Sequence, residues 1–258
     1  NKSPKPREEA EQEAKTFLQI IEDSSNYMFG YNHSTGYSMI GYMCGYLRYY
    51  YPKEFITAYL NNANNDEDIA MGTQLAEDMN IKIHPVKFRH SVATYSCDDS
   101  GIYKGMESIK FLNSKIADEL YELREEKFDS FIDLLVKLKS LSINSRQLDI
   151  LIKVNYFEEF GEVNTLLNQV EWFEKLYGKK QFKKTKVEDM GLSVDLVGKY
   201  AEKITEKTIC GINSTELLKE VVAMIKYPTT TLLDHFKYEN ECLGQVITVA
   251  PTCNKRLY

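Results

Sequence analysis

The chain has little of several things that announce a function. It has four histidines, one tryptophan and six prolines in 258 residues. The histidines (His33, His84, His90 and His235) are too dispersed along the chain to propose a metal site. The five cysteines (Cys44, Cys97, Cys210, Cys242 and Cys253) form no C-x-x-C pair and are odd in number, which reads as reduced thiols rather than as disulfides or a zinc site. No apolar run approaches the roughly 18 residues of a spanning helix, and the polar start "NKSPKPREEAEQEAK" is no signal peptide. There is no G-x-x-x-x-G-K-[ST] phosphate loop, no G-x-G-x-x-G, no G-x-S-x-G and no H-E-x-x-H. Positive charge is also in deficit. A formal net charge of −6 argues against a dedicated nucleic-acid binder, because phosphate binding wants a basic field. The composition is otherwise that of a globular domain, 43% hydrophobic and 27% charged.

What is present is helical periodicity and tyrosine. Ala10, Ala14, Phe17, Leu18 and Ile21 recur at steps of three and four, which predicts an amphipathic helix from 7 to about 24. A second helix follows, capped by Ser34, with Tyr37, Ile40, Cys44 and Leu47 on one face and Tyr42, Tyr46 and Tyr50 on a neighbouring one. Pro52 suits the first turn of a third helix. "NNDEDIAMGTQLAEDMN" predicts a fourth, where Asp66, Glu67 and Asp68 favour the N-terminus; the D-x-D there reads as capping chemistry, not a metal site. "IKIHPV", "VATYSC" and "IYKG" alternate around the turn "DDSG", which predicts a small β-hairpin. Helices return at about 113–126, 129–139, 144–154 and 162–176. A lysine-rich linker and two more helices, 214–227 and 229–242, come next. "GQVITVAP" reads as a strand just beginning, so the ending resembles a domain edge. No internal repeat stands out.

Three ordered stretches carry a resemblance. "FGYNHSTGYSMIGYMCGYLRYYYPKEF" resembles the fingers segment of the bacterial replicative DNA polymerase III alpha subunit, the C family, with Asn32, His33 and Ser34 in its motif and Pro52 and Phe55 in its "YPxEF" step. "MNIKIHPVKFRHSVATYSCDDSGIYKGMESIK" and "INSRQLDILIKVNYFEEFGEVNTLL" are similar to the segments that follow in that family, and "YENECLGQVIT" to the lead into its OB domain. The resemblance implies a mainly α fold: a helical fingers-type region at 1–91, a hairpin and tandem helix-hairpin-helix region at 92–168, a lysine-rich linker and helices at 169–227, and the lead into an OB-like domain at 228–258.

It also implies a role. The parent chain would be a DNA-directed DNA polymerase of DNA replication in the cytoplasm, and this piece a C-terminal fragment without the palm aspartates and inactive alone. Magnesium is expected in that palm, and no cofactor here. Partners would be primer-template DNA, an incoming deoxynucleoside triphosphate and replisome subunits such as the sliding clamp, with no membrane. Asn32, His33, Ser34 and Arg48 would face the nucleotide. Lys110, Asn113, Lys115, Asn144, Ser145 and Arg146 would face DNA from two hairpins, joined by Lys179, Lys180, Lys183 and Lys184 from the basic patch. Those lysines have two readings, a backbone-binding patch interleaved with Tyr177 and Phe182, or a solvated linker. The tyrosines likewise either pack a fingers core or overlook the nascent base pair.

The sequence departs from the family pattern at two places. The motif lysine falls on Tyr31. The glycine-hydrophobe-glycine of the first hairpin falls on Phe111-Leu112-Asn113, where Phe111 should block backbone approach to phosphate and Asn113 could take a left-handed turn. The first hairpin is therefore expected to be structural. The alternative from another class is a non-catalytic helical adaptor that binds a replisome protein.

Overall fold

A computed structural model describes residues 5–25, 30–243 and 246. The chain divides into two compact units, one up to Ile56 and one from Thr57. The boundary lies within helix α3 (Pro52–Asn61).

The first unit is built from α1 (Arg7–Ser25) and α2 (Tyr31–Tyr50), and neither helix buries a residue. α1 follows its predicted bounds. α2 begins three residues before the predicted cap. Ser34 does not cap it: its hydroxyl donates to the carbonyls of Gly30 and Tyr31, inside the first turn. The residue preceding the helix is Gly30, which supplies no side-chain bond. A serine already in helical conformation satisfies itself on the preceding turn rather than on the free N–H groups.

The second unit begins with the remainder of α3, from Thr57, and continues into α4 (Asp66–Asp78). Asn65 caps it by accepting the Asp68 N–H at 2.8 Å, and the three carboxylates sit in the first turn as predicted. Strands β1 (Ile83–His84), β2 (Ser96–Asp98) and β3 (Gly101–Tyr103) follow. The predicted β-hairpin is β2–β3, and β1 adds to it in parallel, giving the order β1-β3-β2. Asp98 accepts from the Ser100 N–H at 2.7 Å and closes the turn. Gly101 has φ +147°, and a Cβ there would stand 2.4 Å from the Lys82 carbonyl oxygen, so the turn needs glycine. Tyr103 is sandwiched between the rings of His84 and His90, each 4.7 Å away. Two of the four histidines thus pack on Tyr103 of this sheet, His84 from β1 and His90 from the turn that follows it.

Helices α5 (Ser114–Glu122), α6 (Phe131–Leu138), α7 (Ser145–Lys153) and α8 (Val163–Leu176) lie inside the predicted spans. They bury Ile116, Leu120, Leu134, Leu135, Leu151 and Leu166 in a common core. α8 packs on α6 and α7. Arg89 staples the surface of this core: it reaches the Glu159 carboxylate at 2.8 Å and donates to the carbonyls of Arg124 and Glu126.

The lysine-rich stretch departs from the linker reading. β4 (Gln181–Lys183) runs into α9 (Lys184–Asp189) and α10 (Val194–Gly198), and β5 (Lys203–Ile204) and β6 (Thr208–Cys210) complete a second three-stranded sheet, order β4-β6-β5, all antiparallel. Phe182 and Ile209 point from it into the core. Strands this short carry too few alternating residues to be read above a run of lysines. α11 (Ser214–Met224) packs on α8, and α12 (Leu232–Leu243) packs on α7. The expected OB-like strand lies outside the described residues except for position 246. The fold is mainly α, with two small sheets where one β-hairpin was expected.

Candidate nucleic-acid interface

Two helix starts meet in the second unit. Asn113 precedes α5 and accepts the Ile116 N–H at 3.1 Å. Asn144 precedes α7, accepts the Gln147 N–H at 3.0 Å, and has its own N–H received by the Gln147 side chain at 3.0 Å, a complete capping box. The local sequences match: Leu112-Asn113-Ser114-Lys115 and Ile143-Asn144-Ser145-Arg146 each run hydrophobe, cap, serine, cation. The hydrophobe anchors the hairpin, the asparagine satisfies a free N–H, and the cation stands in the first helical turn.

Cross-links hold the two starts side by side. Gln147 is only 9% exposed, and its Nε2 donates to the Phe111 carbonyl at 2.9 Å, so both ends of the amide are used. From the other side, the Glu119 carboxylate of α5 accepts from the N–H and hydroxyl of Ser142 at 2.8 and 2.6 Å. These bonds hold the Glu119 carboxyl below the usual carboxylate range. Gln147 and Glu119 were not among the residues marked from sequence. A glutamine three places after a capping asparagine is the signal for the first; nothing in the sequence marks the second.

Both hairpins expose cations. Arg146 and Lys110 are exposed, and Lys115 is exposed with Glu119 3.8 Å away. Ser145 contacts Glu174 at 3.4 Å. Phe111 takes the left-handed conformation, with φ +72°, while Asn113 stays extended at φ −139°. The left-handed turn expected of Asn113 therefore falls on the phenylalanine. That conformation costs an L-residue with a side chain about 1–2 kcal/mol. Arg146 lies over the Phe111 ring, its guanidinium carbon 3.7 Å from the centroid.

The basic patch is not interleaved with free rings. Phe182 is buried, and Tyr177 stacks on Phe173 at 4.4 Å. Lys179, Lys180 and Lys183 are exposed, Lys184 is half-buried, and none of the four makes an ion pair among the described residues. They form an open cationic edge without a stacking platform.

In the first unit, Asn32, His33 and Ser34 lie within the first turn of α2, not before it. The His33 N–H is taken by the Gly30 carbonyl at 2.9 Å, and its ring rests 4.4 Å from Tyr37. Arg48 occupies the last turn. At about 1.5 Å per residue it stands roughly 22 Å along the axis from His33, too far for one triphosphate to engage both. The tyrosines pack no core among the described residues. Tyr31 is 83% exposed and Tyr49 77%, and the Tyr46 and Tyr50 rings lie 4.5 Å apart, tilted by 40°.

Among the described residues, no group of three or more His, Cys, Asp or Glu side chains is arranged to hold a metal, and no helix is long and apolar enough to cross a membrane.

The fold and its paired hairpins define a class: residues 80–166 match the family described as helix-hairpin-helix motif. Curated relatives narrow it further. The chain is 33% identical over 155 residues to the DNA polymerase III subunit alpha of Campylobacter jejuni, covering 57% of this chain and 13% of that protein. It is 29% identical over 170 residues to that of Thermus aquaticus, covering 65% and 14%. It is 28% identical over 155 residues to that of Bacillus subtilis, covering 59% and 14%. The chain is thus related to a segment of the DNA polymerase III alpha subunit family, as the sequence resemblance implied, and spans only 13–14% of the length of these relatives.

Proposed function

We propose that this chain is a DNA-contacting part of a replicative polymerase, with the paired starts of α5 and α7 gripping the primer-template backbone. What carries the reading is the juxtaposition of two capped helix N-termini, cross-linked through Gln147 and fringed by Lys110, Lys115 and Arg146. Free N–H groups, the positive ends of the helix dipoles and adjacent cations favour phosphate. The acidic net charge does not oppose this, because contacts to a backbone need a local field only. Lys179, Lys180, Lys183 and Lys184 add a second cationic edge for the same backbone. The first turn of α2, with Asn32, His33 and Ser34, is the nucleotide-facing element of the proposal, and Arg48 belongs to a different contact. Polymerisation itself is assigned to the longer protein, with its magnesium, its triphosphate substrate and its replisome partners; this chain alone is expected not to extend a primer.

The test is the affinity of the 258-residue chain for a labelled primer-template duplex across a salt series. A steep fall in log affinity with log salt is expected, with a slope reduced by roughly one for each of Lys110, Lys115 and Arg146 replaced by alanine. A flat salt response, or no binding, would favour the helical adaptor, which binds a protein and no DNA.

A further inference from the structure

A residue with positive φ followed by a buried hydrophobe occurs twice ahead of an asparagine cap. Before α5 it is Phe111 at φ +72°, followed by buried Leu112 and the cap Asn113. Before α11 it is Gly211 at φ +68°, followed by buried Ile212 and the cap Asn213. Glycine takes this conformation without steric cost, whereas for a bulky residue it is an outlier. Packing within the chain does not explain the phenylalanine, because it remains 55% exposed. The Arg146 guanidinium at 3.7 Å steadies the ring from the facing hairpin and leaves more than half of the residue in water.

We infer that Phe111, held by Arg146, is a stacking platform for an unpaired base of single-stranded nucleic acid next to a duplex. This rests on the proposed DNA contact and adds a ligand class to it. An aromatic ring offers a base its face, and every base has one. Bases inside a duplex are already stacked on their neighbours, so the ring can be used only where the strand is unpaired. The surroundings fit a polyanion with a flat end group. Arg146, Lys115 and Lys110 provide cations within the same two hairpins, and the capped starts of α5 and α7 favour phosphate on either side. An aliphatic partner would use the ring but not the cations, and duplex alone would use the cations but not the ring.

The experiment compares two probes with the 258-residue chain at one salt concentration. One is a blunt duplex, and the other is the same duplex with a short single-stranded extension carrying 2-aminopurine at its first unpaired position. The extension is expected to bind roughly tenfold tighter, with a change in 2-aminopurine emission as the base stacks. Phe111→Gly removes the ring and suits the backbone, so Tm should hold or rise while the preference for the extension disappears. Phe111→Tyr should retain it. Equal binding of the two probes by the wild-type chain would overturn the platform while leaving the DNA contact standing. A Phe111→Gly protein that keeps the preference, or binds both probes more tightly, would show the ring to be an obstacle and overturn it too. Failure of both probes to bind would remove the platform together with the reading beneath it.

Discussion

Helices α2 and α7 make an instructive pair. α2 is 20 residues long, rich in tyrosine and methionine, and buries nothing. α7 has nine residues, four of them buried, and both its ends are specified: a capping box at the start, and Val154 after the last turn returning its N–H to the Ile150 carbonyl at 3.0 Å. Apolar content therefore does not decide which helix joins a core. In α2 the apolar and aromatic groups are spread around the axis, as Tyr31, Met39, Ile40 and Tyr37 show by being exposed on successive faces, so no single stripe can be removed from water together. In α7, Gln147, Ile150, Leu151 and Ile152 gather toward the core while Ser145 and Arg146 stay outside. Partition of side chains, rather than their number, is what distinguishes the two.

The largest test of this contrast is a matched pair of leucine truncations. Leu151 is fully buried and Leu47 is 43% exposed. Leu151→Ala is expected to destabilise the second unit by about 2–5 kcal/mol, and Leu47→Ala to change stability by no more than about 0.5 kcal/mol. Denaturant unfolding followed at two wavelengths would read both; comparable losses would mean that α2 is packed in solution as tightly as α7.

The next effect is the cap. Removing the Asn144 side chain with Asn144→Ala should cost about 1 kcal/mol, because the Gln147 N–H loses its acceptor. α2 has no side-chain cap, so Ser34→Ala should cost only a few tenths of a kcal/mol and can be neutral. A shift in denaturation midpoint for Ser34→Ala as large as for Asn144→Ala would break the distinction.

The smallest effect is pH-dependent. Bonds from the Ser142 hydroxyl and N–H lower the Glu119 pKa in the folded protein. A carboxyl depressed on folding contributes stability above its unfolded value, near pH 4.3, and loses that contribution as pH falls through the folded value. Glu119→Gln should therefore be less stable than the wild type at neutral pH, with the gap closing below about pH 4. Melting scans from pH 7 to pH 3 test this, and a gap that stays constant would mean that the charge of Glu119 plays no part in joining the hairpins.

Much of the architecture is written locally. Asn65 before three carboxylates, Asn144 three residues before Gln147, and the 3.6-residue spacing in α5 to α8 each involve groups within one or two turns of each other, so short-range chemistry suffices to read them. The turn at Asp98 to Gly101 is legible for the same reason. The second sheet was not: β4, β5 and β6 have two or three residues each, and their pairing joins Phe182 to Ile209 across a stretch that contains two helices. Ser34 misled because a hydroxyl at the right place in the sequence can equally turn back to the carbonyls behind it.

The candidate interface divides along the same line. The sequence by itself determined the Asn144 cap, the cations of the two hairpins and the family segment they resemble, since each is a matter of residue type at a fixed offset, whereas the Asn113 cap came from the structure. Only the tertiary structure decided that Phe111 takes the left-handed turn, that Gln147 reaches its carbonyl, that Arg146 lies over its ring, and that His33 and Arg48 are held at opposite ends of a rigid helix. Residues 111 and 146 are brought together by core packing of the intervening helices, and no periodicity encodes a contact between side chains so distant in the chain. The physical reason is range: caps and turns are closed by neighbours, whereas a platform made from two hairpins exists only after the hydrophobic core has placed them side by side.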